Sequence, residues 1–166
     1  MVTEVEINEA QRYAENIAAH LYAWKVAAEY IDAGYDGETE DKVTGELVSL
    51  REWAELNCYN PEHIADAADI ARGELADYVQ TVPEAWDLYI GSALCVELIG
   101  KHDGSGWTVT GAELTVTAGG PSCWVEWNGS RDWVTVRCAW GSDRGAVVVD
   151  CAGLCEAFDR IAGVGV

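Results

Sequence analysis

The chain has 166 residues, 49% of them hydrophobic, and carries 29 acidic side chains against 10 Lys and Arg, a net charge of −19. That is enough apolar material for one real core, which excludes global disorder. The charge excludes a broad basic face for nucleic acid or anionic lipid; a field of that sign attracts basic partners instead.

No apolar run approaches the ~20 residues a bilayer span needs. The opening MVTEVEINEAQRY has no basic region followed by an apolar block. The sequence is therefore read as cytoplasmic.

Taken in chain order, Glu9 to Ala33 is predicted as one long helix. Ala10, Tyr13, Ile17, Leu21, Trp24, Ala28 and Ile31 recur at spacings of three and four, which sets them on one stripe, and Gly34 is the expected C-cap. YDGETEDKVTG, from Tyr35 to Gly45, is an acidic loop punctuated by glycine. A shorter helix is expected from Glu46 to Leu56. Asn60 then caps a third, with Pro61 at its first position and Ile64, Ala67, Ala68, Ala71, Leu75 and Tyr78 as its buried stripe. Pro83 to Tyr89 adds a short helical turn.

The texture changes near Gly91. ALCVELIGK, GWTVTG, AELTVTAGG, SCWVEWN, DWVTVRCAW and GAVVVD are short β-rich runs, separated by the turns HDGSG, AGGP, NGSR and GSDRG. Cys151 to Ile161 closes the chain as a helix, with Leu154, Phe158 and Ile161 on one side. The expected fold class is α+β: three or so N-terminal helices, an antiparallel meander of four to six strands, and a C-terminal helix. Residues 1–90 form an acidic helical region and 91–166 a sheet with its closing helix, within one compact domain.

Charge divides with structure. Residues 1–90 hold 20 acids and 5 Lys/Arg, a net of −15, while residues 91–166 hold 9 acids and 5 Lys/Arg, a net of −4. On the third helix Glu62, Asp66 and Asp69 lie four and three residues apart, which makes them neighbours at ~5–6 Å on one face. That is close to the phosphate spacing along a nucleic-acid strand. The same pattern also describes the solvated side of an ordinary amphipathic helix, or adaptation to high salt in a chain with only three lysines.

The other chemistry-bearing residues give weaker signals. An even count of six cysteines admits three disulfides, but without a leader free and mostly buried thiols are expected. Cys151 and Cys155, at i and i+4, could share a metal, yet a structural zinc needs four ligands and no CxxC pair is present. His20, His63 and His102 adjoin no nucleophile motif. No glycine loop with its lysine is present to cradle a phosphate. Paired carboxylates are too abundant to be informative. No enzyme, metal or cofactor is implied.

AGGPSCWVEWNGSRDWVTVRCAW, Ala118 to Trp140, packs four of the eight tryptophans into one stretch. If Gly129-Ser130 is the loop, Asn128 faces Arg131, Glu126 faces Trp133 and Trp124 faces Thr135. Cys123, Val125, Trp127, Val134, Val136, Cys138 and Trp140 then make a core face. Trp124, Glu126, Trp133, Thr135 and Arg137 take the other. Two tryptophans there are either covered by the N-terminal helices, the expectation adopted here, or exposed for a partner with Arg137 stacking on them.

GAELTVTAGGPSCWVEW, RDWVTVRCAWGSDRGAVVVD and CAGLCEAFDRI together resemble a group of small, mostly uncharacterised proteins of bacterial phages, prophages and other mobile elements. Those share an apolar strand ending in Gly-Gly-Pro, a following aliphatic and aromatic strand, a strand ending in Trp-Gly, and a closing helix. The matching residues are Leu114, Val116, Gly119, Gly120, Pro121, Trp124, Trp140, Gly141 and Phe158, within residues 91–163. The resemblance brings no activity onto particular residues. It implies a context in which small acidic proteins often inhibit restriction and CRISPR systems, several of them by mimicking DNA.

The expectation is thus a non-enzymatic anti-defence protein that occupies the basic nucleic-acid channel of a host complex, with no direct nucleic-acid or membrane contact. Asp36, Glu38, Glu40, Asp41, Glu62, Asp66, Asp69, Glu74 and Asp77 would carry the contact. The alternative is a protein-binding module that uses Trp124, Trp133 and Arg137, with acidity serving solubility or salt adaptation.

Overall fold

The computed structural model describes residues 8–34, 50–60, 66–75 and 77–164, with side-chain surroundings to residue 163. Its first element is α1, Glu9–Asp32. The Asn8 carboxamide oxygen accepts the Gln11 N–H at 3.0 Å to cap the start. Gly34, at φ 100°, takes the left-handed position just past the end. The expected stripe faces inward, with Tyr13 and Ile17 only half-buried. The second half of α1 goes further: Ala23, Val26, Ala27 and Tyr30 are buried as well. One side of α1 lies on the sheet and the other receives the remaining N-terminal helices, so a single stripe is too narrow for it.

α2 is Leu50–Leu56; the four earlier positions of the expected Glu46–Leu56 helix lie outside the described residues. So do Pro61, Glu62 and Ile64 at the start of the third helix. Its described part is a three-residue α3, Ala67–Asp69, that runs into a π-helical segment, Ile70–Leu75. Ala67, Ile70, Ala71 and Leu75 are buried. Tyr78, expected on this stripe, is instead 76% exposed. The π segment bonds i to i+5 rather than i to i+4 and ends at Leu75, so the 3.6-residue phase does not reach Tyr78. α4, Val82–Gly91, starts at Thr81, whose hydroxyl accepts from Glu84 N–H, and Asp32 of α1 accepts the Val82 N–H at 2.7 Å.

Five strands follow as an antiparallel meander in sequential order: β1 Cys95–His102, β2 Trp107–Thr117, β3 Ser122–Trp127, β4 Trp133–Trp140 and β5 Asp143–Asp150. α5, Ala152–Val164, closes the chain. The fold is α+β, as the pattern implied. GWTVTG and AELTVTAGG are one strand rather than two, because Gly111 between them lies flat against the Trp127 carbonyl of β3. In AGGP, Gly119 and Gly120 both take positive φ before a cis bond to Pro121. GSDRG contributes only Gly141 and Ser142 to its turn, and Asp143 to Gly145 are already strand.

The β3–β4 register differs from the expected one by two residues. Trp124 faces Arg137 and Glu126 faces Thr135, not Trp133. The loop holds 128–132 rather than two residues, and the Ser130 hydroxyl accepts both the Asp132 and Trp133 N–H groups to fix it. A shift of two keeps every side chain on its face. The inner face therefore buries Cys123, Val125, Trp127, Val134, Val136 and Cys138 as expected. Trp140, expected with them, is 44% exposed. It ends its strand, where its ring leans on Tyr13 and lies over Gly120.

Cys123 and Cys138 are directly opposite, with Cα atoms 4.2 Å apart, and are joined by a disulfide. This corrects the expectation of free thiols. Of the other four, Cys58 and Cys95 are exposed and Cys151 and Cys155 buried. α1 crosses the inner face over β4 and β5, and α5 packs against α4, β4 and β2. Gly145 permits the closest approach, since a Cβ there would stand 2.5 Å from the Ala10 backbone. The Trp24 indole N–H donates to the Ala85 carbonyl at 3.1 Å and ties α1 to α4.

Candidate partner-binding surfaces

The expected acidic contact set falls into two parts. Asp36, Glu38, Glu40, Asp41 and Glu62 lie outside the described residues. Asp66, Asp69, Glu74 and Asp77 are all exposed. Asp66 stands at the N-cap of α3, Asp69 and Glu74 lie on α3 and its π segment opposite the buried Ala67, Ile70, Ala71 and Leu75, and Asp77 follows two residues after the segment ends. Burial of the small and aliphatic residues against α1 forces the carboxylates outward. One cation interrupts them: Arg72 donates back to the Ala68 carbonyl at 3.3 Å.

The outer sheet face decides the question raised by the tryptophans. Among the described residues the helices that pack on the sheet lie on its inner side, so none of them supplies the expected coverage of Trp124 and Trp133. Trp133 is 37% exposed and Trp124 half-buried. Trp124 and Arg137 face each other across β3 and β4, but Glu126 takes both polar ends. It accepts the Trp124 indole N–H at 3.1 Å and pairs with the Arg137 guanidinium. Arg137 is thus held by a carboxylate rather than stacked on an indole. Glu97, Glu113 and Glu126 line up across β1, β2 and β3 on this face, a row the sequence reading missed. Its signal was alternation in β1 and β2, which the pairing of Glu97 with Glu113 turns into a line. The half of the chain with the smaller net charge thus also presents an acidic surface.

The cysteine and histidine candidates do not converge. Burial pushes the Cys151 thiol up to about 12 and the Cys155 thiol to about 11, the latter aided by nearby Asp132. Both stay protonated at neutral pH and are poor ligands and nucleophiles there. Cys155 Sγ lies 3.4 Å from the Trp133 carbonyl, as a weak donor. His20 packs its ring against Trp24 and Tyr89, His102 accepts the Gly104 N–H in the β1–β2 turn, and His63 is outside the described residues. Among the described residues no group of three His, Cys, Asp or Glu side chains is placed to hold a metal ion.

The surface opens into cavities, among them two of several hundred Å³. One, of about 630 Å³, lies between the β3–β4 loop and α5, and its lining includes Arg131, Asp132, Glu156 and Asp159. The other, of about 580 Å³, runs between α1 and β5, floored by Ala18 and Ala19 and flanked by Tyr22 and Tyr59. Among the described residues no helix is long and apolar enough to cross a membrane. No protein-family model, no curated protein and no solved structure matches the chain.

Proposed function

We propose that this protein is a non-enzymatic inhibitor that binds a basic nucleic-acid-binding protein or complex of a host cell and occupies its nucleic-acid channel as an acidic mimic. The reading rests on the outward side of α3 and its π segment, where Asp66, Asp69 and Glu74 stand in solvent with Asp77 just beyond, on a chain of net charge −19. Association driven by such a surface is fast and weakens with salt. The resemblance to mobile-element proteins supplies the context of host defence. The test is capture from a bacterial lysate at low and high salt, followed by displacement of labelled DNA from whatever is retained. Joint substitution of Asp66→Asn, Asp69→Asn, Glu74→Gln and Asp77→Asn should weaken binding by roughly tenfold or more and flatten its salt dependence. Unchanged capture by that variant, or capture indifferent to salt, removes the reading.

A second reading has its own observation. Among the described residues nothing covers the outer sheet face, which presents Trp124, Trp133 and the Glu126–Arg137 pair. An aromatic group beside a held ion pair is the composition of a protein-binding patch. Trp133→Ala would abolish partner capture on this reading and leave it intact on the first.

A further inference from the structure

The free edge of β5 is only half covered. Arg137 pairs with Ala146, and the outward amide of Ala146 is bonded to a side chain: its N–H donates to Gln11 Oε1 at 3.0 Å and its carbonyl accepts from Gln11 Nε2 at 3.2 Å. Asn8 donates to the Arg144 carbonyl at 3.0 Å in the same way. Ala146 therefore turns both backbone groups away from β4. Antiparallel pairs alternate, so Val148 and Asp150, opposite Thr135 and Trp133, must do the same. Among the described residues nothing bonds these outward groups. They open into the cavity of about 580 Å³ beside α1. The other sheet edge is guarded differently, by a bulge at Ile99/Gly100 and the charges of Glu97 and Lys101 on β1.

We propose that this groove takes a short extended peptide segment of a protein partner, carrying alternating apolar and basic residues, which adds to β5 as a sixth strand. Two N–H and two C=O groups at alternate residues are complementary to another strand, and main-chain bonding of that kind tolerates varied sequence. The Gln11 carboxamide already makes the same two-bond pairing one step along, at Ala146. Side chains on one face of the added strand would rest on Ala18 and Ala19 between Tyr22 and Tyr59. Charge selects the rest. Glu15 and Asp150 border the groove, and Lys25, its one lysine, lies in the field of Glu29. The remaining sign is negative.

The probe is a capped pentapeptide of alternating valine and lysine, titrated into the full chain while amide exchange is followed by NMR. The amides of Val148 and Asp150 should become protected. Methylating the peptide nitrogens that face β5 should cost roughly tenfold or more in affinity, and so should replacing its lysines with glutamate. Val148→Pro removes the receiving donor at an edge position that tolerates proline. Ala19→Trp blocks the groove from the exposed side of α1 without touching β5; either variant should abolish binding. The inference is overturned if the methylated peptide binds equally, if Val148 and Asp150 stay unprotected at millimolar peptide, or if they are protected without peptide in a dimer seen by sedimentation. The variant neutralised at Asp66, Asp69, Glu74 and Asp77 should bind the pentapeptide normally, so loss of the acidic-mimic reading leaves this one standing.

Discussion

Glu29 sits on α1 among residues that face the interior, and burial raises its carboxyl above the ordinary 4.5. Lys25 opposes the shift and Asp32 adds to it. An acid whose folded value is raised favours the folded state while neutral, and that advantage is lost as pH rises from the ordinary value through the raised one. Glu29→Gln should therefore raise the melting temperature at pH 7 and have little effect near pH 4, measured by thermal denaturation at both. Gly145 makes the opposite case. An added Cβ would meet the Ala10 backbone at 2.5 Å, and a helix backbone cannot rotate out of the way. Gly145→Ala should cost ~1–3 kcal/mol, or about 2–4 °C of melting temperature per kcal/mol for a chain of this size.

At the scale of elements, what the sequence disclosed depended on how local the information was. The α1 stripe was legible because its spacing is set within one helix. The division of β3 and β4 into inner and outer faces was legible because strand period is two. Their register was not, since it depends on a loop held by the Ser130 hydroxyl. The disulfide was hidden for the same reason: a register two residues off sets Cys123 across from Val136. The exposure of Tyr78 was hidden because π-helical bonding in Ile70–Leu75 changes the phase of the stripe. Of the candidate site, the exposure of Asp66, Asp69, Glu74 and Asp77 was legible from amphipathicity. The open groove at β5 was not, because it requires knowing which strand ends the sheet and where Gln11 reaches. The disulfide itself is testable. Native protein should offer two fast-reacting thiols, Cys58 and Cys95, and unfolded unreduced protein four. Cys123→Ala with Cys138→Ala should cost about 3 kcal/mol, given the 15-residue separation the bond spans, read from denaturant midpoints.

Over the whole molecule, like charge is the main opposing force. A net charge of −19 on 166 residues repels itself wherever the carboxylates are near one another. Four ion pairs are formed among the described residues, each between substantially exposed partners, and pairs of that kind contribute little. Stability should accordingly climb with ionic strength as the Debye length shrinks from ~30 Å at 0.01 M to ~3 Å at 1 M. Differential scanning calorimetry across that range, with sodium chloride and again with a neutral osmolyte as control, checks it. A melting temperature flat in salt would mean the acids are too dispersed to act as one field, and the acidic-mimic reading would lose its physical basis.

The bond pair between Gln11 and Ala146 spans 135 positions of sequence. α1 is the earliest described helix off the ribosome, yet β5, on which it rests, is the last strand to emerge. At ~5–20 residues per second of synthesis, α1 waits several seconds with Ala10 and Tyr13, which meet Gly145 and Trp140, uncovered. During that interval its Ala- and aromatic-rich surface is open to chaperones, and the meander must form before its lid can close. A closure this far along the chain is slow for entropic reasons as well. The nascent chain therefore reaches its native state only after translation has passed β5.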